Sequence, residues 1–352
     1  MNEKYSITFG GDTSLGDYYL RKFEKDKSPL LRLSNDPASF FEGVKPLVEN
    51  STHLILNFES VLAENPKKVY KSKQYPNYDN PKRTLEVLNG LGVTAVNLAN
   101  NHSNDFGSEI MLNTVQQLND AGINSFGVGA NILEASKPLR IQLMGGETTK
   151  SVYILAGLLA SQRYWKDYSF SAEQEKPGVC PFKIKSIKKR ITNLRSEDPT
   201  AIIVVCPHWQ GYDYKRVPQK IKKICRELID AGANYVLAHG THMINPLEKR
   251  GEGIIAYSIG NFIFNSPGRY QKYKAPPYSF IVRLEIEERN GKWDIKERFY
   301  PIQSDPRRTG YNNRPVNESE AEEIQQILIE KSNTQHQNVF SIKKDSRGFY
   351  FV

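Results

Sequence analysis

Short apolar runs separated by amphipathic stretches dominate the 352-residue chain. SITFGG, HLILNFE, VYILAGLL, AIIVVCPHW and IIAYSIGNFIF are short and nearly continuous in apolar residues, the form taken by strands covered on both faces. Between them, three segments share one grammar, in which an apolar helix face ends at glycine and a strand follows. TLEVLNGLGVTAVNLAN, TVQQLNDAGINSFGVG and CRELIDAGANYVLAHG each place glycine where a helix C-terminus takes a left-handed residue. Strands alternating with helical patterns predict parallel pairing and an α/β architecture. The last quarter changes character. YSFIVRLEIEE and KWDIKERFYPI flank Asn290-Gly291 and predict an antiparallel hairpin. ESEAEEIQQILIEKS predicts an amphipathic helix with its glutamates, Glu318 to Glu323, at the positive N-terminal end. KDSRGFYFV predicts a returning edge strand. Residues 1–270 therefore read as the chemical unit, and 271–352 as a hairpin, helix and terminal strand packed on it.

Composition narrows the class. At 39% hydrophobic, the chain can bury a sizeable core as two domains or one large α/β domain with additions. It has no apolar run of the roughly 18 residues a membrane-crossing helix needs. The expectation is a soluble, cytoplasmic protein, unless a partner holds it at a membrane. Three cysteines, odd in number and without metal-type spacing, fit a reducing compartment with no disulfide framework, and Cys206 reads as core. The net charge of +9 gathers in 67–73 (KKVYKSK), 183–190 (KIKSIKKR), 215–223 and 269–274 (RYQKYK). Such runs are either solvated faces or a positive field around a site for an anionic substrate. Nucleic acid is not implied, because zinc-finger spacing, RNP-type strands and basic heptads are missing.

Polar residues cluster after the apolar runs. Asp12 follows ITFGG, Asn57 and Glu59 follow LIL, Asn100 to Asp105 follow VTAVNLA, His208 follows IIVVCP, and His239 and His242 follow NYVLA. In an open α/β sheet the strand C-termini share one edge, where ligands bind. Four of the six histidines sit at such ends, leaving His53 and His336 elsewhere. Buried carboxylates and imidazoles without partners are costly, so the set predicts a metal or catalytic site. Carboxylate, imidazole and amide oxygen together suit a hard-to-borderline divalent cation.

Taken in order, GGDTSLG (10–16), NFES (57–60), NLANNHSND (97–105), HWQGYDY (208–214), HGTHMINPLE (239–248) and YSIGNFIF (257–264) resemble the CapA family of capsule (poly-gamma-glutamate) synthesis proteins. The resemblance spans about residues 5–270. It implies a fold like that of the calcineurin-like metallophosphoesterases: an α/β protein with a β-sandwich of two sheets flanked by helices in four layers. It also implies a divalent metal centre of one or two ions (Mn, Zn, Fe or Mg) at the strand ends. Asp12, Glu59 with Asn57, Asn101, His208 and His242 would be the ligands. His102 would be the general acid or oxyanion stabiliser, and Asp105 would either orient His102 or cap the next helix.

Three departures stand out: Ser14 where the related phosphoesterases have a histidine two residues after the aspartate of the first motif, Gly240 with His239 displaced by one position, and Gln210 between Trp209 and Gly211. A one-residue shift turns a strand side chain to the other face, which argues against His239 as a ligand. Trp209 reads as a pocket wall or core aromatic ahead of a substrate stacker. SIGNF reads as a tight turn; no serine-hydrolase elbow surrounds Ser258. The 265–279 loop is either an inert connection or a lid gripping carboxylates or phosphates through Arg269. Two functions follow. One is a metal-dependent hydrolase of a phosphoester or related anionic compound of the capsule pathway, with amide hydrolysis as a variant on the same chemistry. The other is a non-hydrolytic part of a capsule-synthesis complex that binds an anionic polymer or a synthetase partner.

Overall fold

The computed structural model describes residues 3–146, 148–209, 216–267, 269–331 and 340–352. Its main strands are β1 (Lys4–Ser14), β2 (His53–Phe58), β3 (Val93–Asn97), β4 (Asn124–Phe126), β5 (Leu139–Met144), β6 (Thr149–Leu159), β7 (Ile202–Trp209), β8 (Tyr235–Leu237), β9 (Leu247–Arg250), β10 (Gly253–Ala256), β11 (Asn261–Phe264), β12 (Tyr278–Arg289), β13 (Lys292–Gln303) and β14 (Arg314–Pro315). They form two sheets. The eight-stranded sheet runs β14-β13-β12-β1-β2-β3-β4, with β11 also paired to β1, and the six-stranded sheet runs β9-β10-β8-β7-β6-β5.

The apolar runs explain the layering. Along β7, Ile202, Val204 and Cys206 join the core shared with the first sheet, while Ile203 and Val205 pack under α3 (Ile184–Glu197) and α4 (Gln219–Asp230). Period-two alternation with both faces apolar thus yields a strand between a second sheet and a helical layer. Helices α1 (Pro81–Gly90) and α2 (Ser108–Asp120) contact β3 and β4 of the first sheet. The molecule is therefore the expected α/β sandwich of two sheets flanked by helices. Glycines 92, 122 and 232, at the ends of α1, α2 and α4, all have positive φ.

Pairing is parallel through β1-β2-β3-β4 and through β6-β7-β8-β10, and antiparallel at β5, β9, β12 and β13. Parallel pairing brings the C-terminal ends of the site-bearing strands to one edge. The predicted hairpin is present, with Asn290 and Gly291 at φ of 52° and 76°, as a tight two-residue turn requires. Its first strand pairs with β1 over residues 4–9, so the hairpin extends the first sheet. The predicted terminal strand is a small hairpin of its own, Lys343–Lys344 against Tyr350–Phe351, and Val352 exchanges backbone hydrogen bonds with Phe299 of β13. Among the described residues no helix is long and apolar enough to cross a membrane.

Candidate metal centre

Register builds the site before any side chain is considered. Asp12 of β1 lies beside Asn57 of β2 and Asn261 of β11, while His208 of β7 bridges His239 just beyond β8. Parallel neighbours at one level point the same way, so these residues face a common centre between the sheets.

At that centre one carboxylate oxygen of Asp12, one of Glu59 and one ring nitrogen of His208 all lie within 4.8 Å of one another. All three residues are buried. The Asn57 amide nitrogen donates to Asp12 Oδ1 at 2.8 Å and to Glu59 Oε1 at 3.1 Å, and lies 3.2 Å from His208 Nδ1. On the other side of that ring, His208 Nε2 is 2.7 Å from Asn101 Oδ1. His242 Nδ1 stands 2.8 Å from Asn261 Oδ1 and 3.2 Å from Asp12 Oδ2. His102 Nδ1 is 2.8 Å from Asp105 Oδ2. Asp105 therefore orients His102. The helix that follows, α2, has Gly107 at its N-cap and no side-chain cap.

Burial sets the charge state. It lowers His208 to about 3 and holds His242 and His102 below the ordinary imidazole range, with the Arg269 charge adding to the effect on His242. It also raises Glu59 well above the usual carboxyl range, assisted by the neighbouring Asp12. For Asp12 burial works in the same upward sense, but the imidazoles of His242, His239 and His208 outweigh it and keep the group ionised. The centre thus favours an ionised Asp12, an un-ionised Glu59 and uncharged rings at His102, His208 and His242. Among the described residues Glu59 Oε2 has no hydrogen-bond partner, and it lies 3.9 Å from both His102 Nε2 and His242 Nε2. An orphaned buried acceptor among imidazole nitrogens fits a divalent cation, which would ionise Glu59 and satisfy it.

The departures acquire physical explanations. At Gly240, with φ of 97°, a Cβ would collide with the Trp209 carbonyl and stand 2.8 Å from His208 Nε2; its own N–H donates to Asp12 Oδ2 at 3.2 Å. No side chain fits there. His239, expected to face away, faces the centre instead, with Nδ1 3.5 Å from Asp12 Oδ1, because it pairs level with His208 beyond the end of its strand. Ser14 points elsewhere: its hydroxyl donates to Asp79 and accepts from Asn77, after an irregularity between Asp12 and Thr13 breaks the strand alternation. Gln210 and Gly211 lie outside the described residues.

Trp209 is not brought to the centre. One residue beyond His208, it points to the opposite face of β7 and packs edge-on against Phe182 under the outer helices. Arg269 begins a short helix, α5 (Arg269–Tyr273). Its guanidinium is 5.9 Å from the Phe264 ring, which lies 4.7 Å from the His242 ring. The next residue anchors α5. The Tyr270 hydroxyl donates to the His242 carbonyl at 2.9 Å, accepts from Asn261 Nδ2 at 3.1 Å and sits 2.7 Å from Ser304 Oγ. That carbonyl belongs to a histidine in the left-handed region, φ 61°. Sequence reasoning took SIGNF for a turn and so missed Asn261 as the partner of His242, and it passed over Lys73, Asn77 and Tyr270. A lone amide, aromatic or lysine in a loop carries no signal of its own.

The fold and the site together define the class: a two-sheet α/β sandwich with a buried carboxylate–imidazole cluster at its strand ends. Residues 6–266 match the family described as bacterial capsule synthesis protein PGA_cap, and the chain belongs to that family. It is 27% identical over 270 residues to the capsule biosynthesis protein CapA of Bacillus anthracis, covering 75% of this chain and 61% of the relative. It is likewise 27% identical over 261 residues to the PGA biosynthesis protein CapA of Bacillus subtilis (strain 168), covering 74% and 63%. The chain thus spans about three-fifths of the length of these curated relatives. Among solved structures, the NAD nucleotidase of Haemophilus influenzae is similar at a TM-score of 0.44 and 10% identity, over 92% of this chain and 56% of that one.

Proposed function

We propose that the protein is a divalent-metal-dependent hydrolase of a phosphoester or related anionic compound, serving the synthesis of a polyglutamate-type capsule. The observation that carries the reading is the buried convergence of Asp12, Glu59 and His208, with Glu59 Oε2 unpartnered among the described residues. Asp12, Glu59, His208 and His242 would hold the ion, with the amide oxygens of Asn57 and Asn101 available on reorientation. A cation there would supply Lewis-acid activation of water and neutralise phosphoryl charge. The chain's own residues do the rest. Asp105 accepts the Nδ1 proton of His102, which leaves an unprotonated Nε2 facing the centre; that nitrogen would take a proton from the attacking water and then pass it to the leaving group. Arg269, anchored by Tyr270, lies where it can hold an anionic group. Residues 1–270 form the chemical unit in this reading, and 271–352 buttress it. Three buried free cysteines support action in the cytoplasm, with a capsule-synthesis complex as partner.

One observation favours a second reading, a non-hydrolytic component that binds an anionic polymer or a synthetase. The Asn57 amide nitrogen already contacts Asp12, Glu59 and His208, standing in the place of a cation. The test is metal content of protein purified without chelator, together with hydrolysis of an aryl phosphate under manganese, zinc or magnesium. Bound metal and turnover, both lost in Asp12→Ala and His242→Ala, support the hydrolase. No metal and no turnover under any ion move the assignment to the binding role.

A further inference from the structure

The basic stretch 67–73 divides in the structure. Lys67, Lys68 and Lys71 are exposed, whereas Lys73 is 3% exposed. Its ammonium pairs with Asp105 Oδ1 and donates to the Asn101 carbonyl at 3.0 Å. It lies 5.2 Å from the Tyr164 ring centroid and 5.7 Å from that of Phe170. Tyr70, Tyr164, Tyr168 and Phe170 touch one another around it, with centroid separations of 5.1–6.4 Å. Burying a lysine costs several kcal/mol unless its partners repay the lost hydration. Both partners here bracket a single residue: Asn101 precedes His102, and Asp105 holds its ring.

We infer that Lys73, enclosed by this aromatic box, is a positioning residue that locks the 101–105 turn. Through Asp105 it fixes the His102 ring with Nε2 toward the centre. Through the Asn101 carbonyl it fixes the amide that meets His208. The aromatic faces add cation–π attraction and keep water from the ion pair, so the pair stays short and single in geometry. Asn77 N–H completes the grip on Asp105 Oδ2 at 2.6 Å.

The structural part of this inference stands by itself, and only its kinetic part rests on the hydrolase reading. Proton NMR of the full chain tests the first. Wild type should show the downfield Nδ1–H resonance of a histidine bonded to a carboxylate, assigned by its absence in His102→Gln. Lys73→Met should lose or broaden that resonance, and Lys73→Arg should restore it in part. With manganese and 4-nitrophenyl phosphate, Lys73→Met should lower kcat by about 10- to 100-fold. KM should stay within about twofold and metal content unchanged, because the lysine touches neither substrate nor ion. If Lys73→Met does not fold, Tyr164→Leu opens the box with the ion pair intact, and the resonance should broaden with kcat reduced. A sharp resonance and unchanged kcat in a folded Lys73→Met or Tyr164→Leu protein would overturn the inference, as would a wild type lacking the resonance. Absence of turnover in wild type sinks the hydrolase reading instead, and the NMR outcome then decides on Lys73.

Discussion

At position 240 a methyl group would meet the Trp209 carbonyl and the His208 ring, on a backbone whose φ of 97° disfavours any side chain. Gly240→Ala is expected to cost about 1–3 kcal/mol in urea unfolding and to weaken metal retention, because the N–H that faces Asp12 must shift. Protonation gives a second prediction at this scale. His102, His208 and His242 are held neutral by burial, His208 down to about 3 from an ordinary 6.5. The unfolded chain binds protons there first, so their stabilisation is complete above pH 6.5 and is lost as pH falls below it. Glu59 acts oppositely, since its raised value favours the protonated fold as pH falls toward the ordinary 4.5. His53, also lowered by burial, adds to the rings, and Asp79, raised to about 6, adds to the carboxyls; four rings against two carboxyls leave a net loss on acidification, about 1.4 kcal/mol per pH unit for each net group. Chelator-stripped protein should therefore unfold at lower urea at pH 5 than at pH 7; equal midpoints would contradict the charge states assigned here. The sequence marks Asp12, Glu59, His102, His208 and His242 because residues of these types recur after apolar runs. It does not mark the inward aim of His239, which depends on pairing level with His208.

At the scale of elements, α5 is a short strap tied beside the centre through the Tyr270 hydroxyl. Tyr270→Phe leaves the His242 carbonyl, Asn261 amide and Ser304 hydroxyl without their shared partner, a change expected to cost about 1–3 kcal/mol. If Arg269 binds the anionic substrate, KM should rise while kcat changes little, as measured by steady-state kinetics on an aryl phosphate. The strands and helices were legible because glycine, asparagine or proline bounds most of the apolar runs. The Asn290-Gly291 hairpin was legible down to its turn. The short strap was not, since five residues carry too little periodicity to register as a helix.

For the molecule as a whole, a metal held at the centre would link binding to stability. A cation bound only by the fold adds RT ln(1 + [L]/Kd), about 2.7 kcal/mol at a hundredfold excess over Kd. Manganese should therefore raise the wild-type melting temperature and EDTA should reverse the gain. Glu59→Gln keeps the shape of the side chain but loses its carboxylate, so it should gain nothing from manganese. A full metal-induced shift in that variant would remove Glu59 from the ligand set. Local pattern was enough to determine the α/β class, the strand and helix order, the C-terminal hairpin and the strand-end positions of the polar residues, because these follow from periodicity and turn chemistry along the chain. Only the tertiary structure decided which of those residues meet. Ser14 turns away after a break in strand alternation, Trp209 faces the outer helices, His239 turns in, and Lys73 is drawn into an aromatic box from a stretch of exposed lysines. Such outcomes depend on register and packing between segments far apart in sequence, and no local pattern encodes them.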